Sequence, residues 1–137
     1  MNDILKQIHD NTSGSAIIIG GVAKWLNGYT ETYDNHWIDV VIPSSSVEQI
    51  IPIGIKLEIQ NKTSLPEPNL DQFIIKTDAG YILDVFVQDE PTEYTIISGS
   101  NVITPQADLD FHINLSASFQ TDYLHQKVVD RKALYNL

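Results

Sequence analysis

The chain has 137 residues and carries a formal net charge of −10 with a single arginine, Arg131. This length predicts one domain with its own hydrophobic core. The acidic balance argues against a long nucleic acid as a partner, and the lack of cysteine excludes disulfides and thiolate chemistry. No stretch approaches the roughly 20 apolar residues that span a membrane, so no membrane association is expected.

The N-terminal part of the chain predicts a helix, a strand and a second helix. Residues 2–10 place apolar side chains at helical spacing and predict a short amphipathic helix, and residues 16–19 predict a buried strand. The pair Gly20-Gly21 leads into a second helical pattern, which we expect Asn27-Gly28 to end. The unit is a strand, a glycine turn and a helix.

The middle of the chain predicts a series of strands. Residues 37–42 (WIDVVI) are β-branched and apolar enough for a central strand, and the serines that follow Pro43 predict a short helical turn. Ile, Val, Phe and Tyr flank the turn Thr77-Asp78-Ala79-Gly80, which is typical of a hairpin. The further strands are predicted at 53–59, 72–76, 80–87 and, more weakly, 94–97.

The C-terminal part of the chain predicts two helices. Thr104 can cap a helix that Pro105 begins, and a break is expected near residues 120–122. We therefore predict a single domain, 1–137, with a βα core over 1–104 and C-terminal helices over 105–137. The fold class is α/β or α+β, a mixed β-sheet with flanking helices. On the penultimate helix, the polar residues Asp108, Asp110 and His112 are interpreted as a solvated face.

Two carboxylates within apolar strands are the first candidates for chemistry. Side chains alternate along a strand, so Trp37 and Asp39 share one face of their strand, while Asp84 interrupts a later strand. Next to the amide donors of the Gly20-Gly21 turn, these carboxylates form a pattern that suits a divalent cation and a phosphate. The alternative is structural, since glycine turns are common and a lone strand aspartate is often only hydrogen-bonded.

The segments "GGVAKWLNGYTETYDNHWIDVVIP" and "GYILDVFV" resemble the nucleotidyltransferase superfamily with the DNA polymerase beta-like fold. The resemblance is to its small members in toxin–antitoxin and abortive-infection systems, which carry a glycine turn, two acids one residue apart and a later third acid. It implies that Gly20, Gly21 and Lys24 bind phosphate and that Asp39 and Asp84 bind Mg²⁺ as the second and third acids. The C-terminal helix also resembles the family through Lys127 and Asp130.

The departure from the family pattern is Trp37, which stands where the family has its first metal-binding acid. An indole offers no oxygen ligand, and we expect its bulk to fill the space of the metal and the triphosphate. Upstream, Tyr33 and Asn35 replace the family's frequent arginine and threonine. Substitute ligands are conceivable in Glu31 or Asp34 of the preceding loop, or in His36, although His36 points to the other side of the strand from Trp37.

These observations lead to three hypotheses of function. The first is a catalytically inactive nucleotidyltransferase-fold protein that acts as a structural or protein-interaction module in a larger assembly, without a cofactor. Its many Ile and Asn residues and its one Arg indicate an AT-rich source, such as a phage or a low-GC bacterium, and with a phage source the expected assembly is the virion. The second is an active minimal nucleotidyltransferase, in which Asp39 and Asp84 bind Mg²⁺ and a nucleotidyl group moves from an NTP to a protein or small acceptor. The third is an antitoxin-like regulatory binder that accepts nucleotide without turnover.

The expected localisation follows from the N-terminus. The segment MNDILKQIHD has neither a basic start nor a long apolar stretch, so we do not expect it to be a signal peptide. We therefore expect a cytoplasmic protein, or one located in the virion if it derives from a phage.

Overall fold

A computed structural model describes residues 1–30, 36–59 and 71–137, and within them the chain forms five α-helices and a seven-stranded mixed sheet. The predicted combination of a mixed sheet with flanking helices is confirmed. In chain order the elements are α1 (Asn2–Asn11), β1 (Ile17–Ile19), α2 (Gly20–Leu26), β2 (Trp37–Ile42), a 3₁₀ turn (Ser44–Ser46), α3 (Val47–Ile50), a second 3₁₀ turn (Ile51–Ile53), β3 (Gly54–Glu58), β4 (Gln72–Thr77), β5 (Ile82–Val87), β6 (Tyr94–Ile97), β7 (Ser100–Ile103), α4 (Pro105–Phe119) and α5 (Asp122–Tyr135).

The strand order places β2 at the centre of the sheet, in the sequence β3-β4-β5-β2-β1-β7-β6. β2 runs antiparallel to β1 and parallel to β5. In this register Asp39 lies opposite Ile19 on one side and opposite Asp84 on the other. Since Ile19 is followed directly by Gly20, the topology brings the glycine turn and both predicted carboxylates into one row across three strands.

One face of the central strands forms the hydrophobic core. Ile38, Val40 and Ile42 of β2 are fully buried, as are Leu83 and Val85 of β5. They belong to one cluster that also contains the buried face of α1 and residues of the short helical segment before β3. The alternation predicted for β2 and β5 therefore has an apolar side that packs on helices and an opposite side that carries the carboxylates.

Both C-terminal helices begin after a threonine cap, of which the one at Thr104 was predicted. The Thr104 hydroxyl accepts a hydrogen bond from the Ala107 amide at 3.2 Å, and the Thr121 hydroxyl accepts one from the Leu124 amide at 3.2 Å. Gln120 between the helices is left-handed, with φ +50°. The break predicted near 120–122 is confirmed, and it folds α5 back against α4. Among the described residues, no helix combines the length and the apolar character needed to cross a membrane.

Strand β7 was not predicted. It pairs with β6 around a turn at Ser98 and Gly99, both of which have positive φ, and it runs parallel to β1 on its other side. Its sequence, SNVI, resembles turn rather than strand because serine and asparagine favour turns. The buried Asn101 side chain is accommodated because its amide donates to the Gly14 carbonyl oxygen at 2.7 Å and to the Ala16 carbonyl oxygen at 3.2 Å.

Candidate functional site

A cavity of about 300 Å³ lies between the second face of the sheet and the C-terminal helices. The Gly20-Gly21 turn at the start of α2 forms one end of it. The sheet contributes both predicted carboxylates, and α4 and α5 contribute aromatic and cationic groups. The lining residues are Ile19, Gly20, Gly21, Lys24, Asp39, Gln72, Asp84, Phe86, Phe111, His112, Leu115, Tyr123, Lys127 and Arg131.

The glycine turn and the first carboxylate are in direct contact. Gly20 has φ +66°, a conformation that side-chain-bearing residues rarely adopt, and a Cβ at this position would overlap the Asp39 carboxylate. Asp84 lies beside Asp39 in the parallel register of β5 and β2. All five residues that the resemblance assigned to phosphate and metal, including Lys24, thus line the same cavity.

The second carboxylate is partly withdrawn from solvent. Burial raises the pKa of Asp84 above its ordinary value of 3.8, and a hydrogen bond from Gln72 acts in the opposite direction. The Gln72 amide Nε2 donates to Asp84 Oδ1 at 2.5 Å, and Gln72 itself is buried on β4. One oxygen of Asp84 is therefore already engaged, and a cation bound there would have to share it or use the other oxygen.

The opposite wall of the cavity carries positive charge. Lys24 comes from α2, whereas Lys127 and Arg131 are one turn apart on α5. The Lys127 ammonium lies over the Tyr123 ring, 4.8 Å from its centroid. Burial is the largest cause that lowers the pKa of Lys24, and repulsion from Arg131 and Lys127 adds to it. A bound anion between these groups would relieve that repulsion.

Arg131 is held by a buried network centred on Asp108. The Arg131 Nε donates to Asp108 Oδ2 at 2.9 Å, and the Tyr135 hydroxyl donates to the same oxygen at 2.5 Å. His112 Nδ1 lies 2.8 Å from the Asp108 carbonyl oxygen and 3.2 Å from Oδ1. Burial alone would raise the pKa of Asp108, but the hydrogen bonds from His112 and Tyr135 and the charge of Arg131 lower it overall.

The interpretation of this helix face as solvated was wrong for two of its three residues. Asp108 is 2% exposed and His112 is 8% exposed, whereas Asp110 is exposed as predicted. Asp108 is stable inside the protein because every hydrogen bond and ion pair that it needs comes from α4 and α5. Sequence reasoning also missed Gln72 and Arg131, since nothing in their local pattern indicates a site.

Trp37 lies outside the cavity. It is on the same face of β2 as Asp39, opposite Ile82 of β5, and its side chain is 40% exposed. It is not among the described residues that line the cavity, so the expectation that the indole fills the space of the metal and the triphosphate was wrong.

The substitute ligands fall into two groups. Glu31 and Asp34, like Tyr33 and Asn35, lie outside the described residues. His36 is described and exposed, with its ring packed edge-on against Tyr81 at a centroid distance of 6.4 Å. Within residues 1–30, 36–59 and 71–137, no three His, Asp or Glu side chains are grouped closely enough to hold a metal ion. The described donor set for a cation is therefore the pair Asp39 and Asp84.

A larger cavity of about 560 Å³ lies on the other side of α4 and shares Phe111 and Leu115 with the first. Its charged lining residues are acidic: Glu90, Glu93 and Asp110. Two of these carboxylates accept hydrogen bonds from neighbouring side chains, Glu93 from Thr104 and Asp110 from Gln106. Of these two cavities, the smaller is the better candidate, because its described lining combines paired carboxylates, a glycine turn and cationic groups.

Comparisons of the chain with protein-family models, with curated proteins and with solved structures give no significant match.

Proposed function

We propose that the chain is a nucleotidyltransferase-like module that binds a nucleoside triphosphate together with Mg²⁺ in the cavity at Gly20-Gly21, without transferring a nucleotidyl group. In this proposal the module binds protein partners within a larger assembly. Asp39 and Asp84 bind the cation, and Lys24, Lys127 and the turn amides bind the phosphates.

The division of charge within one cavity carries the proposal. Carboxylates in register on β2 and β5 form one wall, and the cationic side chains of α2 and α5 form the other. A magnesium triphosphate has the matching arrangement, since its cation lies beside its own negatively charged oxygens. Gly20 has no side chain, and the Asp39 carboxylate takes the space where its Cβ would lie, so the carboxylate is held directly beside the turn.

The donor set supports binding rather than turnover. Two-metal phosphoryl chemistry needs carboxylates that clamp both the attacking and the leaving oxygen. The described part of the cavity offers two carboxylates, and Asp84 already accepts a hydrogen bond from Gln72 at 2.5 Å. Trp37 has no oxygen with which to supply the missing ligand.

Exposed apolar residues on the outer strands support a role in an assembly. Among the described strands, β3 and β6 are at the two ends of the sheet. Ile55 on β3 is 66% exposed and Ile96 on β6 is 70% exposed. Large apolar side chains at sheet edges favour contact with another chain, by side-chain burial and by strand pairing.

A transfer assay tests the proposal. The protein is incubated with Mg²⁺ and each of the four α-labelled ribonucleoside triphosphates, and both pyrophosphate release and label on protein are measured. We expect retention of nucleotide by the native protein without pyrophosphate release. Release that Asp39→Asn abolishes would refute the assignment as an inactive module.

An active minimal nucleotidyltransferase is the second candidate, and one observation favours it. Trp37 is 40% exposed and leaves the cavity open, so the indole does not block a triphosphate. In that case Glu31 or Asp34 would take the place of the first acid, which is missing at Trp37. The same assay on Glu31→Gln and Asp34→Asn distinguishes this candidate, because only an enzyme would lose pyrophosphate release.

A further inference from the structure

Asp108 and Arg131 form an ion pair that is almost completely buried yet borders the cavity. Asp108 is 2% exposed and Arg131 is 4% exposed, and Arg131 is a lining residue. A buried ion pair is costly to desolvate and often contributes little net stability compared with apolar residues of similar volume. Since stability alone is a weak reason for the pair and Arg131 lines the charged cavity, we consider its contribution to ligand binding there.

The hydrogen bonds of Arg131 fix the direction of its guanidinium. Nε donates to Asp108 Oδ2 at 2.9 Å, and Nη1 donates to the Lys127 carbonyl oxygen at 3.4 Å. Nη2 makes no hydrogen bond to any described residue, while the side chain lines the cavity. In the planar guanidinium, Nε–H and one Nη2–H leave from the same edge, which faces Asp108, so the second Nη2–H is the one that points away from Asp108.

Asp108 is itself held from two further sides. The Tyr135 hydroxyl donates to Oδ2, and His112 Nδ1 lies 3.2 Å from Oδ1. Tyr135 packs in turn against Tyr29, with ring centroids 4.9 Å apart. The carboxylate is therefore held by contacts from α4 and α5 in addition to its bond with Arg131.

We propose that Arg131 orients the phosphate chain of the bound nucleotide through Nη2 and that Asp108 is its positioning residue. This inference rests on the proposed function, because it assigns a residue to the phosphate half of the same cavity. Asp108 does not touch the ligand. It fixes the position of the guanidinium before the ligand binds. The entropy cost of ordering the long Arg131 side chain therefore does not reduce the binding free energy.

The single arginine makes a direct test feasible. The chain contains one arginine, so the side-chain Nε–Hε resonance of Arg131 is unique in a ¹⁵N-labelled sample. We expect slow hydrogen exchange at this group in the free protein, because it is buried and bonded to Asp108. Titration with inorganic pyrophosphate and then with Mg²⁺-ATP should shift the resonance in a saturable way, together with the Gly20 and Gly21 amides.

Variants then separate positioning from general stability. In Asp108→Asn the Arg131 exchange protection should be lost and the affinity for Mg²⁺-ATP should fall on the order of tenfold. Tyr135→Phe keeps the Asp108 charge but removes one of the two further contacts that hold it, so the affinity should fall by less than in Asp108→Asn. Asp110→Asn removes an exposed charge from the same helix and should change neither measurement.

The outcomes distinguish this inference from the proposed function. If ATP shifts the glycine amides while the Arg131 resonance stays unchanged in the native protein, the assignment of Arg131 and Asp108 is wrong and nucleotide binding stands. If neither set of resonances responds to ATP, the proposed function fails and this inference fails with it. The native titration gives this answer even if Asp108→Asn does not fold.

Discussion

The Asp39 carboxylate lies in the space that a side chain at Gly20 would occupy. This contact joins the first residue of α2 to the central strand β2, and it sets the distance between the turn and the carboxylate pair. Only glycine satisfies both conditions at this position, since its φ is +66° and any Cβ would overlap Asp39.

Gly20→Ala should therefore lower the free energy of unfolding by about 3 kcal/mol, from backbone strain together with the overlap. Gly28→Ala is the matched control, because Gly28 also has positive φ, +84°, but has nothing within 4 Å of its Cβ position. It should cost only about 1 kcal/mol. Urea unfolding of both variants measures the difference, and equal losses would show that the Asp39 contact is unimportant.

Asp84→Asn should stabilise the protein at neutral pH. Because the pKa of Asp84 is raised in the folded state, the folded protein binds its proton more tightly than the unfolded chain does. The native protein thus loses stability as pH rises from about 3.8 through the folded pKa, and the loss is complete above it. The asparagine variant escapes this loss and should have a higher free energy of unfolding than the native protein at pH 7.

The gain from Asp84→Asn should disappear near pH 3, where Asp84 is protonated in both states. Asparagine retains the Oδ1 acceptor for Gln72, so the hydrogen bond does not confuse the comparison. Asp78→Asn, in the exposed turn between β4 and β5, is the control. Urea midpoints at several pH values test the prediction, which fails if the two variants behave alike.

Asp108→Ala should destabilise the protein by roughly 3–5 kcal/mol, because it leaves the Arg131 charge buried without its partner. Asp110→Ala on the exposed side of the same helix should stay within about 0.5 kcal/mol of the native protein. Since the pKa of Asp108 is lowered in the folded state, its contribution is present above pH 3.8 and is lost as pH falls through the folded pKa. Thermal unfolding of both variants at pH 7 tests the prediction. Equal stability losses in Asp108→Ala and Asp110→Ala would show that the buried ion pair has only a minor role.

Trp37→Asp should create a stronger cation site. Trp37 shares the face of Asp39 on β2, so an aspartate there adds a third carboxylate beside the pair. We expect the affinity for Mg²⁺ to rise roughly tenfold. Asparagine has the shape of aspartate without its charge, so Trp37→Asn should not bind Mg²⁺ more tightly than the native protein does. Calorimetric Mg²⁺ titrations of both variants would contradict the assignment if their affinities matched.

The sequence was informative where the burial pattern is local. The alternation in WIDVVI and ILDVFV indicates strands with one apolar face, and it places Asp39 and Asp84 together on the other face. The cap Thr104 and the following Pro105 mark the start of α4. These features depend on residues within one or two turns of each other, so they can be read before the tertiary structure is known.

The sequence was misleading where burial or strand formation depends on residues far away along the chain. Asp108 is buried because Arg131 and Tyr135, which are 23 and 27 residues further along the chain, hydrogen-bond to it. β7 is a strand because Asn101 donates to carbonyl groups 85 and 87 residues earlier in the chain. Trp37 was expected to fill the cavity because its face was known but its position along the strand relative to α4 and α5 was not.

The central claim, that the cavity binds a magnesium triphosphate, is tested most directly by calorimetric titration of ATP with and without Mg²⁺. The matched variants are Lys127→Ala, which removes a cavity charge, and Lys132→Ala, which removes an exposed charge from the same helix. We predict Mg²⁺-dependent binding to the native protein that Lys127→Ala weakens on the order of tenfold and Lys132→Ala leaves unchanged. Absence of binding, or equal weakening by both variants, would contradict the claim.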